Sequence, residues 1–255
     1  MSGPVLQAEG LVKRFRGVEA VRGVDLTVAA GEAVALIGPN GAGKTTCFNM
    51  IGGQLAPDAG HVRLEGRDVT GLAPRLLWRL GLGRSFQITA AFGSMTVREN
   101  VQLALHAKAG RLWRPFGRVS ASFRDEADAI LARVGMREQA ERPCAILAYG
   151  DLKRIELAIA LAGEPKLLLM DEPTAGMAPG ERVQLMALAA NLAKRGGIAV
   201  LFTEHDMDVV FAHADRIVVL DRGAILAQGA PEAIRANPVV RAVYLGAGLV
   251  AAAKA

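Results

Sequence analysis

Cysteine is nearly absent: Cys47 and Cys144 are the only two in 255 residues. Two isolated thiols make no disulfide framework, so both read as small buried hydrophobes in a reducing compartment. Also missing is any charge-free run of about eighteen apolar residues, so no segment is expected to span a membrane. Any membrane link must then come through partners. The opening MSGPVLQAEG lacks the basic-then-apolar pattern of a secretory leader. The four histidines and two cysteines are scattered, without zinc-site spacing. A net charge of +5 is modest and diffuse, and does not amount to a nucleic-acid-binding signature. The length allows one large core, or a core with a smaller lobe.

What the chain does have is an ordered series of short motifs. GPNGAGKTT at 38–46 comes first, then SFQ at 85–87, LAYGD at 147–151, LLLMDEPTAG at 167–176 and TEHD at 203–206. Each occurs once, which indicates one nucleotide unit and not a tandem pair.

Periodicity places these motifs. Alternation predicts two edge strands, 5–15 and 20–28, around a turn at Arg16–Gly17. A buried strand from Ala33 to Ile37 runs into the glycine loop, and a helix from Thr45 to Ile51 stops at Gly52–Gly53. AGHVRLEGRDV reads as a hairpin or edge strand turning at Glu65–Gly66. From Arg98 to Met136 the pattern is helical, interrupted by a basic irregular stretch at 111–119. Its second half predicts a serine-capped amphipathic helix with Ala127, Ile130, Leu131 and Val134 on one side. A helix over 152–162 follows, and strands at 166–171 and 198–203 flank a helix at 182–194 in a βαβ rhythm. A short helix at 206–213, a hairpin turning at Arg222–Gly223 and a frayed tail complete the chain.

The expected fold is α/β: a P-loop NTPase core with an N-terminal antiparallel β subdomain and an inserted helical subdomain. Residues 1–86 and 152–240 form the core, 87–151 the helical lobe and 241–255 the tail.

Gly38, Pro39, Asn40, Gly41, Ala42, Gly43, Lys44 and Thr45 fit GxxxxGK[ST], with Thr46 next. Glycines let successive N–H groups turn toward phosphate oxygens, and the following helix N-terminus adds positive field. Lys44 is assigned to the β and γ phosphates, and Thr45 to Mg²⁺. Asp171 closes a run of four apolar residues, Leu167 to Met170, where a carboxylate can reach Mg²⁺ directly or through water. Glu172 follows as general base or water-positioning group. His205, beyond the next apolar strand, can contact the γ phosphate and the attacking water. His61, His106 and His213 have no such context. Gln87 offers an amide for Mg²⁺ and water, and Phe15 a ring to stack on adenine or simply to pack. Gly150, just ahead of the predicted helix at 152, can present backbone N–H groups to an anion, although the phosphates are already cradled by 38–45.

Taken together, these residues resemble the nucleotide-binding subunits of ATP-binding cassette transporters, over nearly the whole chain. GPNGAGKTT is similar to that family's Walker A, LLLMDE to its Walker B, and LAYGD to its signature. Gln87 resembles the Q-loop glutamine and His205 the switch histidine. The resemblance implies a head-to-tail dimer in which ATP lies between the phosphate loop of one subunit and Ala148, Tyr149, Gly150 and Asp151 of the other. LAYGD, DEPTAG and NPVVRAVYLG further resemble the ATPases of branched-chain amino acid importers. That implies a peripheral subunit on the cytoplasmic face of a bacterial inner membrane, using ATP and Mg²⁺. Its implied partners are two permeases, a second ATPase or another copy of itself, and indirectly a periplasmic solute-binding protein. Nucleic acid is not among them.

Two departures stand out. Ala148 and Tyr149 replace a serine and a glycine of the signature, which implies weakened geometry. Ala178 stands where many members have an aspartate that links the two sites, so communication is expected to be looser unless another polar group substitutes. A groove for a permease helix is expected around Phe86, Ile88, Phe92 and Met95. The rival readings are a related urea or amide importer, an ATPase of lipopolysaccharide extraction, and a soluble cassette ATPase acting on DNA or ribosomes. The last lacks support, because there is neither a long coiled-coil insertion nor a second cassette.

Overall fold

The alternating N-terminus folds as β1 (Leu6–Phe15) and β2 (Val18–Val28), paired antiparallel from Leu6 opposite Val28 to Phe15 opposite Val18. The structure is a computed structural model that describes residues 3–85, 91–110 and 122–243. Beyond it lie the expectations for the basic stretch at 111–119 and the tail after 243. Strand β4 (Ala59–Leu64) pairs with the other side of β1 and turns into the short β5 (Arg67–Asp68). The sheet order is β2-β1-β4-β5, so only β2 is the edge strand the alternation predicted. Pairing of β1 with β4 is long-range and invisible to a local pattern.

The second sheet runs β10-β9-β3-β8-β7-β6. Its members β3 (Ala33–Ile37), β6 (Leu82–Ser85), β7 (Leu167–Asp171), β8 (Ala199–Thr203) and β9 (Arg216–Asp221) are parallel, and β10 (Ala224–Gly229) is antiparallel to β9. Unbroken apolar runs suit strands covered on both faces. Val34, Leu36, Leu167 and Leu169 point into one core, shared with the antiparallel sheet and helix α1 (Lys44–Ile51). Ala35, Ile37, Leu168 and Met170 point into the other, shared with the helices that follow residue 96.

Several elements have no counterpart in the periodicity, among them two short helices near the C-terminus, Pro231–Ala236 and Pro238–Val243, the second reaching into the stretch expected to be tail. Helix α2 (Pro74–Arg79) is short, and β6 reads LGRS, without alternation. Pairing makes β6 a strand: Leu82 lies opposite Leu167 and Arg84 opposite Leu169.

Helix α3 (Val97–Lys108) starts at a reciprocal cap. Thr96 Oγ1 accepts from Glu99 N at 3.2 Å, and the Glu99 carboxylate accepts from Thr96 N at 2.8 Å. Thr96→Ala is expected to cost about 1 kcal/mol of stability, read as a lower urea midpoint at unchanged slope. Helix α4 (Arg124–Arg133) lacks the expected serine cap. Its N-cap is Phe123, at φ 59° with no capping side chain, and the Phe123 ring meets His106 edge-on at 4.9 Å. Ala127, Leu131 and Val134 are buried as expected, and Ile130 packs against the same core. Arg98 joins α3 to α4 through Asp128 at 2.6 Å.

Helix α5 (Tyr149–Ala162) begins at Tyr149, not near Leu152, so the expected boundary between 151 and 152 falls inside it. It packs against both α3 and α4. Helix α6 (Pro179–Gly196) joins β7 to β8. Helix α7 (Met207–His213) is capped by the Asp206 carboxylate, and α8 (Pro231–Ala236) and α9 (Pro238–Val243) follow β10. Among the described residues no helix is long and apolar enough to cross a membrane.

Candidate nucleotide site

Strand β3 delivers the chain to Gly38, and α1 leaves the loop at Gly43, whose φ is 102°. A Cβ on Gly43 would lie 2.5 Å from the Ala20 carbonyl oxygen, and one on Gly38 would lie 2.2 Å from that of Leu220. Only glycine lets the loop sit this close to its neighbours. Neither a capping side chain nor an acidic residue occupies the start of α1, so its orphan N–H groups suit an anion. The Lys44 side chain is largely buried and donates to Gly38 O at 2.7 Å and Pro39 O at 3.2 Å. Burial lowers its pKa from the usual lysine value, while Glu172 and Asp171 pull it back up.

Gly43 and Lys44 line an open cleft of about 460 Å³ with Phe15, Ala20, Glu172 and His205, while Gly38 and Pro39 stay behind its wall. Phe15 is 46% exposed, so its ring is an available stacking surface. Asn40, Gly41, Ala42, Thr45 and Thr46 complete the wall.

Opposite the loop, β7 ends at Asp171, whose Oδ1 accepts from Thr203 Oγ1 at 2.8 Å. Its Oδ2 faces Arg84 Nη2 at 3.4 Å. Glu172 has φ 47°, a left-handed backbone that non-glycine residues adopt at a cost. Its N–H donates to Thr203 Oγ1 at 3.0 Å, and its Oε1 lies 2.8 Å from His205 Nε2. The buried Glu204 accepts from Thr174 N at 2.9 Å and Thr174 Oγ1 at 2.6 Å, tying the loop after β7 to the end of β8. Thr203, Glu204, Thr174 and Arg84 are thus the supports that sequence reasoning did not assign. Thr203 and Glu204 stood within TEHD, but nothing in a linear pattern says what a polar strand end will bond.

Hydroxyl and carboxylate oxygens from Thr45 and Asp171 are the donor types a hard divalent cation takes. Among the described residues no group of three or more His, Cys, Asp or Glu could hold a metal by itself. Gln87 lies outside the described residues, as do Phe86 and Ile88.

Ala148 is the extended N-cap of α5, and Tyr149, Gly150 and Asp151 form its first turn. None of the four lines the cleft. One chain therefore brings together the phosphate loop, Phe15, Glu172 and His205, and leaves the LAYGD segment elsewhere. Tyr149 is half-exposed, with Lys153 Nζ 5.4 Å from its ring centroid. The Glu181 carboxylate crowds Gly150, where a Cβ would come within 2.8 Å, and accepts from Ala178 N at 3.4 Å. An acid thus stands close to the position where Ala178 lacks one.

A second, largely apolar cleft of about 230 Å³ lies between α2, β6 and α5, walled by Trp78, Leu82, Arg84 and Ile159 among others. Phe92 and Met95 do not line it.

The sequence profile described as "ABC transporter" matches residues 21–175, and that of the "Branched-chain amino acid ATP-binding cassette transporter" matches 224–250. The high-affinity branched-chain amino acid transport ATP-binding protein LivG of Escherichia coli (strain K12) is 42% identical over 96% of this chain and 99% of its own. The ADP conformation of MJ1267, an ATP-binding cassette of an ABC transporter, superposes with a TM-score of 0.84 at 32% identity, covering 96% of this chain and 99% of that one. MJ0796, a dimeric cassette in a post-hydrolysis state with ADP and Pi, gives 0.74 at 26% identity over 89% and 98%. The phosphate cradle, the paired carboxylates at a strand tip and these matches make the chain a member of the ATP-binding cassette transporter family, an ATPase that uses ATP and Mg²⁺ to drive transport.

Proposed function

We propose that this chain powers import of branched-chain amino acids across a bacterial inner membrane, as a peripheral subunit on its cytoplasmic face. The names of its relatives and the match over 224–250 support the solute class. One observation carries the assembly: the phosphate cleft lacks residues 148–151 of its own chain. A second ATPase subunit, identical or different, presents them, and two permeases receive the motion.

Within each site, the N–H groups of 38–46 and Lys44 hold the phosphates, and the Phe15 ring supports the base. Thr45 and Asp171, with Gln87, would hold Mg²⁺, which would supply charge neutralisation for phosphoryl transfer. Glu172 orients water in line with the γ phosphorus and accepts its proton. His205, already hydrogen-bonded to Glu172, fixes that carboxylate's direction and contacts the γ phosphate. Gln87 and the helical lobe that follows it transmit the event. The apolar cleft beside Trp78 is the proposed seat of a permease helix.

The test is affinity purification of the tagged chain from gently solubilised native membranes, with mass spectrometry of what co-purifies. Two unlike permeases and a second ATPase, with leucine- or valine-dependent ATPase stimulation by the solute-binding protein, is the expected result. Stimulation by urea or amides alone would change the solute. Lipopolysaccharide permeases with a symmetric ATPase pair would move the chain to extraction, and recovery without membrane protein would overturn the transport role.

A further inference from the structure

Arg84 sits in a built cradle on β6, beside β7 and against Asn49 of α1, the helix that leaves the phosphate loop. Its Nη1 donates to Gln54 Oε1 at 2.5 Å, and its Nη2 to Asn49 Oδ1 at 3.1 Å and Asp171 Oδ2 at 3.4 Å. The arginine and Asp171 side chains are only 13% and 11% exposed. Gly52 makes room for the cradle, because a Cβ there would come within 2.5 Å of Gln54 Oε1 and 2.8 Å of Arg84 Nη1. Asn49 and Gln54 accept hydrogen bonds but add no charge, so neutralising this cation falls to Asp171. The benefit is mutual: a carboxylate this buried is costly without a positive partner.

We infer that Arg84 is a resident counter-cation for Asp171 that competes with Mg²⁺ for the carboxylate and so sets how much Mg²⁺ nucleotide binding requires. The inference rests on Asp171 being the metal carboxylate. At 3.4 Å the contact is longer than the roughly 2.7–2.9 Å of a strong charge-assisted bond. The other carboxylate oxygen is taken by the Thr203 hydroxyl. The guanidinium is anchored independently by Asn49 and Gln54, so it stays in place when the ion arrives and keeps repelling it. Without nucleotide, Arg84 keeps Asp171 paired. With nucleotide, it weakens the hold on the ion and eases release.

The experiment is titration of Mg²⁺ into the full chain with a non-hydrolysable ATP analogue, followed by calorimetry. Arg84→Met removes the charge and keeps an unbranched stem. It is expected to lower the half-saturating Mg²⁺ concentration by roughly tenfold, the lower end of what a nearby opposite charge does to a carboxylate's cation affinity. Arg84→Lys, which keeps the charge, is expected to stay near wild type. In an Asp171→Asn background, Arg84→Met should add nothing. Arg84→Gln, which can still bond Asn49 and Gln54, repeats the test if the methionine variant does not fold.

An unchanged or raised Mg²⁺ requirement in either folded neutral variant would overturn the inference, as would failure of both to fold, which would make the pair purely structural. If Asp171→Asn alone leaves the Mg²⁺ requirement unchanged, the assignment of Asp171 fails, and that outcome is distinct from a failure of Arg84.

Discussion

Glu172→Gln is expected to reduce ATP hydrolysis by at least about a hundredfold, the usual contribution of a positioned general base, while ATP still binds. The substitution is nearly isosteric. It removes the proton acceptor but leaves a side chain able to bond His205, which lies 2.8 Å from the Glu172 carboxylate. The left-handed backbone at Glu172, held by bonds from its N–H to Thr203, is available to both residues. Fold and cleft should therefore persist, and the ATP-bound dimer should accumulate because its exit step is blocked. Phosphate release and gel filtration with and without ATP and Mg²⁺ measure the two effects. Turnover near the wild-type rate would remove Glu172 from the base role and leave water activation to another group.

Lys44→Ala is expected to lower turnover on the order of a hundredfold or more, the scale for losing one preorganised charge-stabilising donor, and to weaken ATP binding. Without nucleotide the ammonium is held by the carbonyls of Gly38 and Pro39, inside the loop it serves. Partial burial makes it a stronger partner for phosphate than a solvated lysine would be. Because the lost contact is to phosphate, weak adenosine binding should be unchanged while ATP binding falls. Equal loss of both ligands would mean that the substitution damages the cleft as a whole. Unchanged ATP affinity and turnover would dismiss the phosphate assignment altogether.

Much of the fold was legible because its cues are local. The apolar run 33–37 is a strand at those very residues, and the break at Gly52 falls where glycine ends α1. Other elements were hidden because their cause is remote. LGRS becomes β6 only beside β7, and α5 starts at Tyr149 although Ala148 has no side chain to cap it. At α4, the N-cap is Phe123, held by the fold without a capping side chain, where a nearby serine was expected to cap.

By itself, the sequence determined the chemistry. Glycines at 38, 41 and 43, with Lys44 and Thr45, specify a phosphate loop because few other residues tolerate that backbone or supply those groups. The carboxylates at 171 and 172 follow an apolar run that reads as a buried strand ending there. Only the tertiary structure decided which groups stand together. It brought His205 to Glu172, set Arg84 and Thr203 on opposite oxygens of Asp171, and kept 148–151 out of the cleft. The physical reason is that side-chain hydrogen bonds and ion pairs act over about 3–4 Å. Separations that short, between residues tens of positions apart, are set by strand order and register and not by any linear pattern.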